Sequence, residues 1–166
     1  MWNEAFSDLP LEKREIRVAT DKQDLGELGE KLVAATCDCP QCKRTKTLKR
    51  LPTNFRCADL ICDFCGYLAQ VKATRVDDVD RKPDTILGAA WAPQKERMDS
   101  GIYFPLFIVA VGKTDKRKAI YYLSADLQDA SIFDARNPLS ATARRAGWQG
   151  FLYRLTHVAD RLVRIA

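Results

Sequence analysis

The sequence predicts an α/β domain with a metal-stapled insertion. Three observations predict it: a helical apolar period opening at Leu25, two Cys-x-x-Cys turns at Cys39/Cys42 and Cys62/Cys65, and strand-like apolar runs at residues 66–74, 102–111 and 119–123. The 166 residues suit one domain with a modest core. Apolar content of 46% and charged content of 30% describe a globular chain. The longest apolar run, residues 102–111, is too short for a membrane helix. No basic segment followed by an apolar stretch opens the chain, so no secretory signal is expected and the cytoplasm is. Six cysteines in that setting favour reduced thiols and metal over disulfides. A net charge of +5 fits an anionic partner without demanding one.

Residues 1–23 are polar, are broken by Pro10, and read as an arm or short helix; residues 24–166 read as the domain proper. Leu25, Leu28, Leu32 and Val33 recur at helical spacing behind a capping Asp24. Residues 37–65 form the knuckle. Residues 66–74 read as a strand, 77–84 as a charged loop and 85–98 as a helix of small residues, which Pro93 should bend or delay. Residues 102–111 read as a fully buried strand. After a turn come a strand at 119–123 and a last strand within 151–158.

Two thiolates at Cys-x-x-Cys spacing grip one ion from a tight turn, and two such turns supply the tetrahedral sulfur shell that zinc prefers. Cys39, Cys42, Cys62 and Cys65 are therefore expected to bind structural Zn²⁺, with Cys37 and Cys57 spare. A closed sulfur site leaves no position for water, so this metal should organise loops and leave the chemistry to others.

Beside the second pair stand Asp59 and Gln70-Val71-Lys72. Strand residues two apart share a face, so Leu68, Gln70 and Lys72 project together and Tyr67, Ala69, Val71 and Ala73 project oppositely. With Asp59 on a partner strand, the set suits phosphodiester hydrolysis. Asp59 and Gln70 would offer oxygens to a hard cation, and Lys72 would orient the attacking water and offset developing charge. A solvated strand face is the plain alternative. Gly26 and Gly29 cost a helix roughly 1 kcal/mol each, which close backbone approach would explain. Glu30 on that face is a candidate outer carboxylate, or else an ordinary exposed glutamate.

Arg144 and Arg145 can contact phosphates or a guanine edge, unless they are salt-bridged surface, and Trp148 offers a flat surface to a base, unless it is core. Lys43, Arg44, Lys46, Lys49 and Arg50 lie in the zinc loop and could track a nucleic-acid backbone. His157 is expected to be structural.

The run Leu139-Ser-Ala-Thr-Ala-Arg-Arg-Ala-Gly-Trp-Gln-Gly150 resembles a signature stretch of the DpnI-type restriction endonucleases. The order of the helix with Glu30, the two cysteine pairs, Ala58-Asp59 and the strand with Lys72 agrees, over roughly residues 25–153. The resemblance implies a PD-(D/E)xK nuclease with a restriction-endonuclease-like mixed central sheet flanked by helices and a four-cysteine zinc knuckle. It implies Mg²⁺-dependent cleavage of double-stranded DNA carrying N6-methyladenine at GATC, and a prokaryotic or phage source. On that resemblance Asp59 is the metal-binding aspartate, Lys72 the catalytic lysine and Trp148 the reader of the methylated adenine. Gln70 departs from the family's usual glutamate and removes a charge from the metal site, although Mrr-like branches of the superfamily carry glutamine there. The family's C-terminal winged helix finds no counterpart before Ala166, so either the nuclease domain reads DNA alone, or a homodimer or partner supplies the rest, or this is a truncated form. A nuclease of other specificity, a non-cleaving zinc-stapled reader of methylated DNA, and a protein without any DNA role remain as alternatives.

Overall fold

The computed structural model of the chain describes residues 21–166. The expected N-terminal arm lies outside the described residues except for its last three, which already belong to the first helix, α1 (Asp21–Thr36). The chain continues through β1 (Leu48–Arg50), β2 (Leu60–Cys62), β3 (Leu68–Val76), β4 (Thr85–Ala90), α2 (Trp91–Asp99), β5 (Leu106–Gly112), β6 (Lys118–Leu123), β7 (Phe133–Ala135), β8 (Gly150–Arg154) and β9 (Val163–Arg164).

A six-stranded mixed sheet runs in the order β1-β2-β3-β5-β6-β9, with β3 and β5 parallel and the other pairs antiparallel. A parallel pair requires a long crossover, and here β4 and α2 supply it. β5 is buried along its whole length, as its unbroken apolar run predicts. Its side chains alternate between two cores. Phe107, Val109 and Val111 join Val33 of α1 and Val71 of β3 on one face. Leu106, Ile108 and Ala110 join Ile86, Phe151 and Tyr153 on the other. Fully burying one such aliphatic side chain is worth about 1.5–3 kcal/mol, so this strand anchors both layers.

The second face is covered by a three-stranded sheet, β4-β8-β7, with α2 beside it. Here the structure corrects the helix expected over residues 85–98: its first half is β4 and only its second half is α2. Gly88 shows why. A Cβ at this position would lie 2.3 Å from the Phe151 ring, so the backbone of β4 passes directly over a β8 side chain, and the ladder shifts register between Leu87 and Ala90. Pro93 is the third residue of α2, where its missing N–H forfeits no helical bond.

Smaller differences follow the same logic. β5 begins four residues later than its apolar run, after Pro105. The last expected strand ends at Arg154 and passes into a 3₁₀ turn, Leu155–Val158. Residues 141–147 form a series of turns closed by Gly147 at φ 74°, a left-handed position that glycine adopts without strain. His157 is exposed, and its Nδ1 lies 2.9 Å from the Ser131 carbonyl.

Candidate active site and metal centre

The metal centre is built by two turns flanking the β1–β2 hairpin. The Sγ atoms of Cys39, Cys42, Cys62 and Cys65 all lie within 4.8 Å of one another. Cys39 and Cys65 are 3.6 Å apart at sulfur, and Cys42 and Cys62 are 3.7 Å apart. A tetrahedron with Zn–S bonds of about 2.3 Å has edges of about 3.8 Å, so these separations suit four thiolates around one zinc ion. All six cysteines are free thiols. Cys37 is buried with its sulfur near the Thr36 hydroxyl, and Cys57 lies apart, so both are spare as expected. The four-cysteine cluster could bind zinc, and its closed donor set suits a structural ion.

The hairpin carries Asp59 against β3. The Asp59 backbone N–H donates to Ala69 O at 3.0 Å, and the Val71 N–H donates to Asp59 Oδ2 at 2.7 Å. These bonds fix the carboxylate at the edge of the strand that bears Gln70 and Lys72. The strand alternation holds: Ala69 and Val71 are buried toward α1, while Gln70 and Lys72 line a cleft with Asp59. The Gln70 amide is tied at both ends, its Nε2 donating to Cys57 O at 3.3 Å and its Oε1 accepting from the Tyr153 hydroxyl at 3.1 Å. Burial, and secondarily the charge of Asp59, pushes the Tyr153 phenol far above its ordinary pKa, so it stays a protonated donor.

Asp59 and Lys72 line a second groove on the α1 side, where Glu30 joins them. Glu30 is only part exposed, and Arg50 Nε donates to its Oε2 at 3.3 Å. Burial and the charge of Asp59 raise the Glu30 carboxyl above its usual range, with Arg50 and Lys72 opposing. Close approach of helix to sheet accounts for one of the two α1 glycines. A Cβ on Gly29 would fall 2.9 Å from Ala73 Cβ, whereas one on Gly26 would meet nothing within 4 Å.

Sequence reasoning missed Tyr153 and Arg97, and it named Arg50 only as a nucleic-acid contact, without its bond to Glu30. Arg97 of α2 donates to Arg56 O at 2.6 Å and so fastens the loop that walls the cleft. The alternation in Phe151-Leu152-Tyr153 placed Tyr153 inward, and a buried tyrosine seeks a partner, but nothing local named Gln70 as that partner.

The proposed nucleic-acid residues divide. Trp148 is half-buried, packs over Gly150 at the start of β8, and carries the Arg145 guanidinium 4.4 Å above its ring. β8 continues into Phe151 and Tyr153 of the cleft, so this loop adjoins the Asp59 site. Arg144 is exposed beside it. Lys43, Arg44 and Lys46 are exposed on the zinc knuckle and line neither cleft; Arg44 stacks 3.6 Å over the exposed Phe64 ring.

Residues 13–163 match the family described as DpnI, Dam-replacing family. The chain belongs to that family. No curated protein matches it. Membership suggests a methylation-dependent restriction-type nuclease with DNA as its partner. No helix among the described residues is long and apolar enough to cross a membrane.

Proposed function

We propose that this protein is a Mg²⁺-dependent endodeoxyribonuclease of the PD-(D/E)xK type that cleaves double-stranded DNA at GATC sites carrying N6-methyladenine. One observation carries the reading: Asp59, Gln70 and Lys72 converge on a single cleft, in a chain of the DpnI family. The donor set suits a hard cation. Asp59 and Gln70 offer oxygens directly, and Glu30 offers a carboxylate across the α1 groove. Bound Mg²⁺ would polarise the phosphate and lower the pKa of water.

The chain's own residues then have distinct tasks. Asp59, held by the Val71 N–H, keeps a fixed carboxylate edge at the scissile phosphate. Gln70, gripped by Tyr153 and Cys57, presents Oε1 in one orientation. Lys72 orients the attacking water and balances charge developing on the phosphate oxygens. Trp148 meets the methylated adenine with its flat face, Arg144 and Arg145 hold the adjoining phosphates, and Lys43, Arg44 and Lys46 extend a backbone track over the zinc knuckle.

The test is cleavage of paired plasmids, adenine-methylated at GATC and unmethylated, in Mg²⁺, with Lys72→Ala as control. Cutting of the methylated plasmid alone, reduced about 10²–10⁴-fold in the variant, is expected. Cutting of both would keep the nuclease and discard the specificity. Binding without cutting would favour a non-catalytic reader of methylated DNA, for which the neutral Gln70 is the motivating observation.

A further inference from the structure

The cleft beside Asp59 contains a polar group that the hydrolytic scheme leaves unused. Gln94 of α2 is 5% exposed and lines the cleft, yet its side-chain amide makes no hydrogen bond among the described residues. The other buried polar residue among the described ones, Gln128, donates to Phe104 O at 2.8 Å. No fully enclosed side-chain nitrogen or oxygen lacks a partner among the described residues, so the Gln94 amide must face the water of the cleft. An amide held in place and facing the water of a concave space can exchange that water for a ligand group with a matching donor and acceptor.

The cleft's size and walls say what kind of group that is. Its volume is about 540 Å³, within the range of small-molecule sites. Phe55, 48% exposed, stands at its rim, and Pro93, Ala90 and Phe151 give it apolar sides. Arg56, exposed at the same wall, adds a positive charge. Flat apolar walls, one amide and one cation suit a nucleobase with its phosphate. The amide's adjacent acceptor and donor complement adenine, which offers N6–H and N7 side by side.

We propose that this cleft is a base-edge subsite for a position flanking the methylated GATC, and that Gln94 determines specificity there by pairing its Oε1 with the N6–H of an unmethylated adenine and its Nε2–H with N7. The subsite rests on the nuclease reading above and adds a second point of sequence readout, separate from the loop of Trp148. Gln94 shares the cleft with Asp59 and Gln70 without hydrogen-bonding to either, and acts on base choice.

The experiment measures binding to a pool of duplex oligonucleotides that carry a fixed N6-methylated GATC between randomised flanks, without divalent cation, so that no cleavage intervenes, for the wild-type protein and Gln94→Leu. Wild-type protein should prefer adenine at one position, and Gln94→Leu should lose that preference about tenfold while preferences elsewhere persist. A second arm needs no variant: replacing that adenine by 7-deazaadenine removes the N7 acceptor and should weaken wild-type binding about tenfold, and should leave Gln94→Leu unaffected. A uniform loss across all sequences, an unchanged profile in Gln94→Leu, or indifference of the wild type to 7-deazaadenine would each overturn the subsite while leaving the nuclease intact. Failure of the wild-type protein to bind DNA at all would overturn both.

Discussion

Tyr153 holds Gln70. The phenol donates to Gln70 Oε1 at 3.1 Å from a strand of the smaller sheet, and thereby links the two layers at the candidate cation site. A carboxylate at position 70 would accept the same bond and add a negative charge beside Asp59. Gln70→Glu is therefore expected to lower the half-saturating Mg²⁺ concentration for cleavage by about tenfold, since charge-assisted contacts exceed neutral ones by roughly 1–1.5 kcal/mol. Tyr153→Phe should raise it and cost about 1 kcal/mol of stability. Mg²⁺ titrations of plasmid cleavage read both, and identical half-saturation in all three proteins would remove Gln70 from the cation's shell.

The two glycines of α1 should respond oppositely to the same change. Gly29→Ala places a methyl 2.9 Å from Ala73 Cβ, an atom that cannot move without its backbone. The helix must lift from the sheet, at about 1–3 kcal/mol. Gly26→Ala meets open space and gains helix propensity worth about 1 kcal/mol. Thermal melts should show Tm falling for the first variant and rising for the second. Equal shifts would mean that α1 does not dock on β3 at Gly29.

These contrasts mark how much was legible in the sequence. The cysteine cluster and the Asp59–Gln70–Lys72 face were readable because each is set by short spacings: a turn for the thiols, and alternation along one strand for the amide and lysine. β5 was readable because burial on both faces leaves an unbroken apolar run. The strand β4 was not, because its small residues favour a helix locally and only Phe151, far along the chain, dictates an extended path past Gly88. Tyr153, Gln94 and the bond of Arg50 to Glu30 were invisible for the same reason. Their positions depend on which strands and helices meet across the sheet, and no local pattern records that.

Zinc should matter for catalysis without taking part in it. The second cysteine pair brackets the turn after β2, and the Cys62 N–H donates to Tyr67 O at 2.8 Å in the same ladder that carries Asp59. Loss of the ion would loosen that ladder and the carboxylate with it. Purified protein should contain one zinc per chain by metal analysis. Cys62→Ser should lower that content and the Tm, and Cys57→Ser should leave zinc content unchanged. A zinc-selective chelator should lower cleavage even with Mg²⁺ in excess. Full cleavage by a verified zinc-free, folded protein would refute the link.

The far edge of the sheet is closed by Asp80, which accepts from Arg117 Nη2 at 2.6 Å and from Arg164 Nη1 at 2.5 Å. The loop after β3 thus clamps both the β5–β6 turn and the terminal strand β9. The hydrogen bond from Arg164, followed by that from Arg117, holds the Asp80 carboxyl below its ordinary pKa. A depressed carboxylate binds fewer protons folded than unfolded, so its contribution is fully present above the unfolded value of about 3.9 and is lost as pH falls through the folded value. Asp80→Asn should therefore lower Tm at pH 7, and the difference from wild type should shrink once the pH drops below about 4. Because the pair is exposed, the difference at pH 7 should also narrow in high salt. A Tm difference that stays constant across pH and salt would show that the variant disturbs packing, and that the ion pairs do not secure this edge.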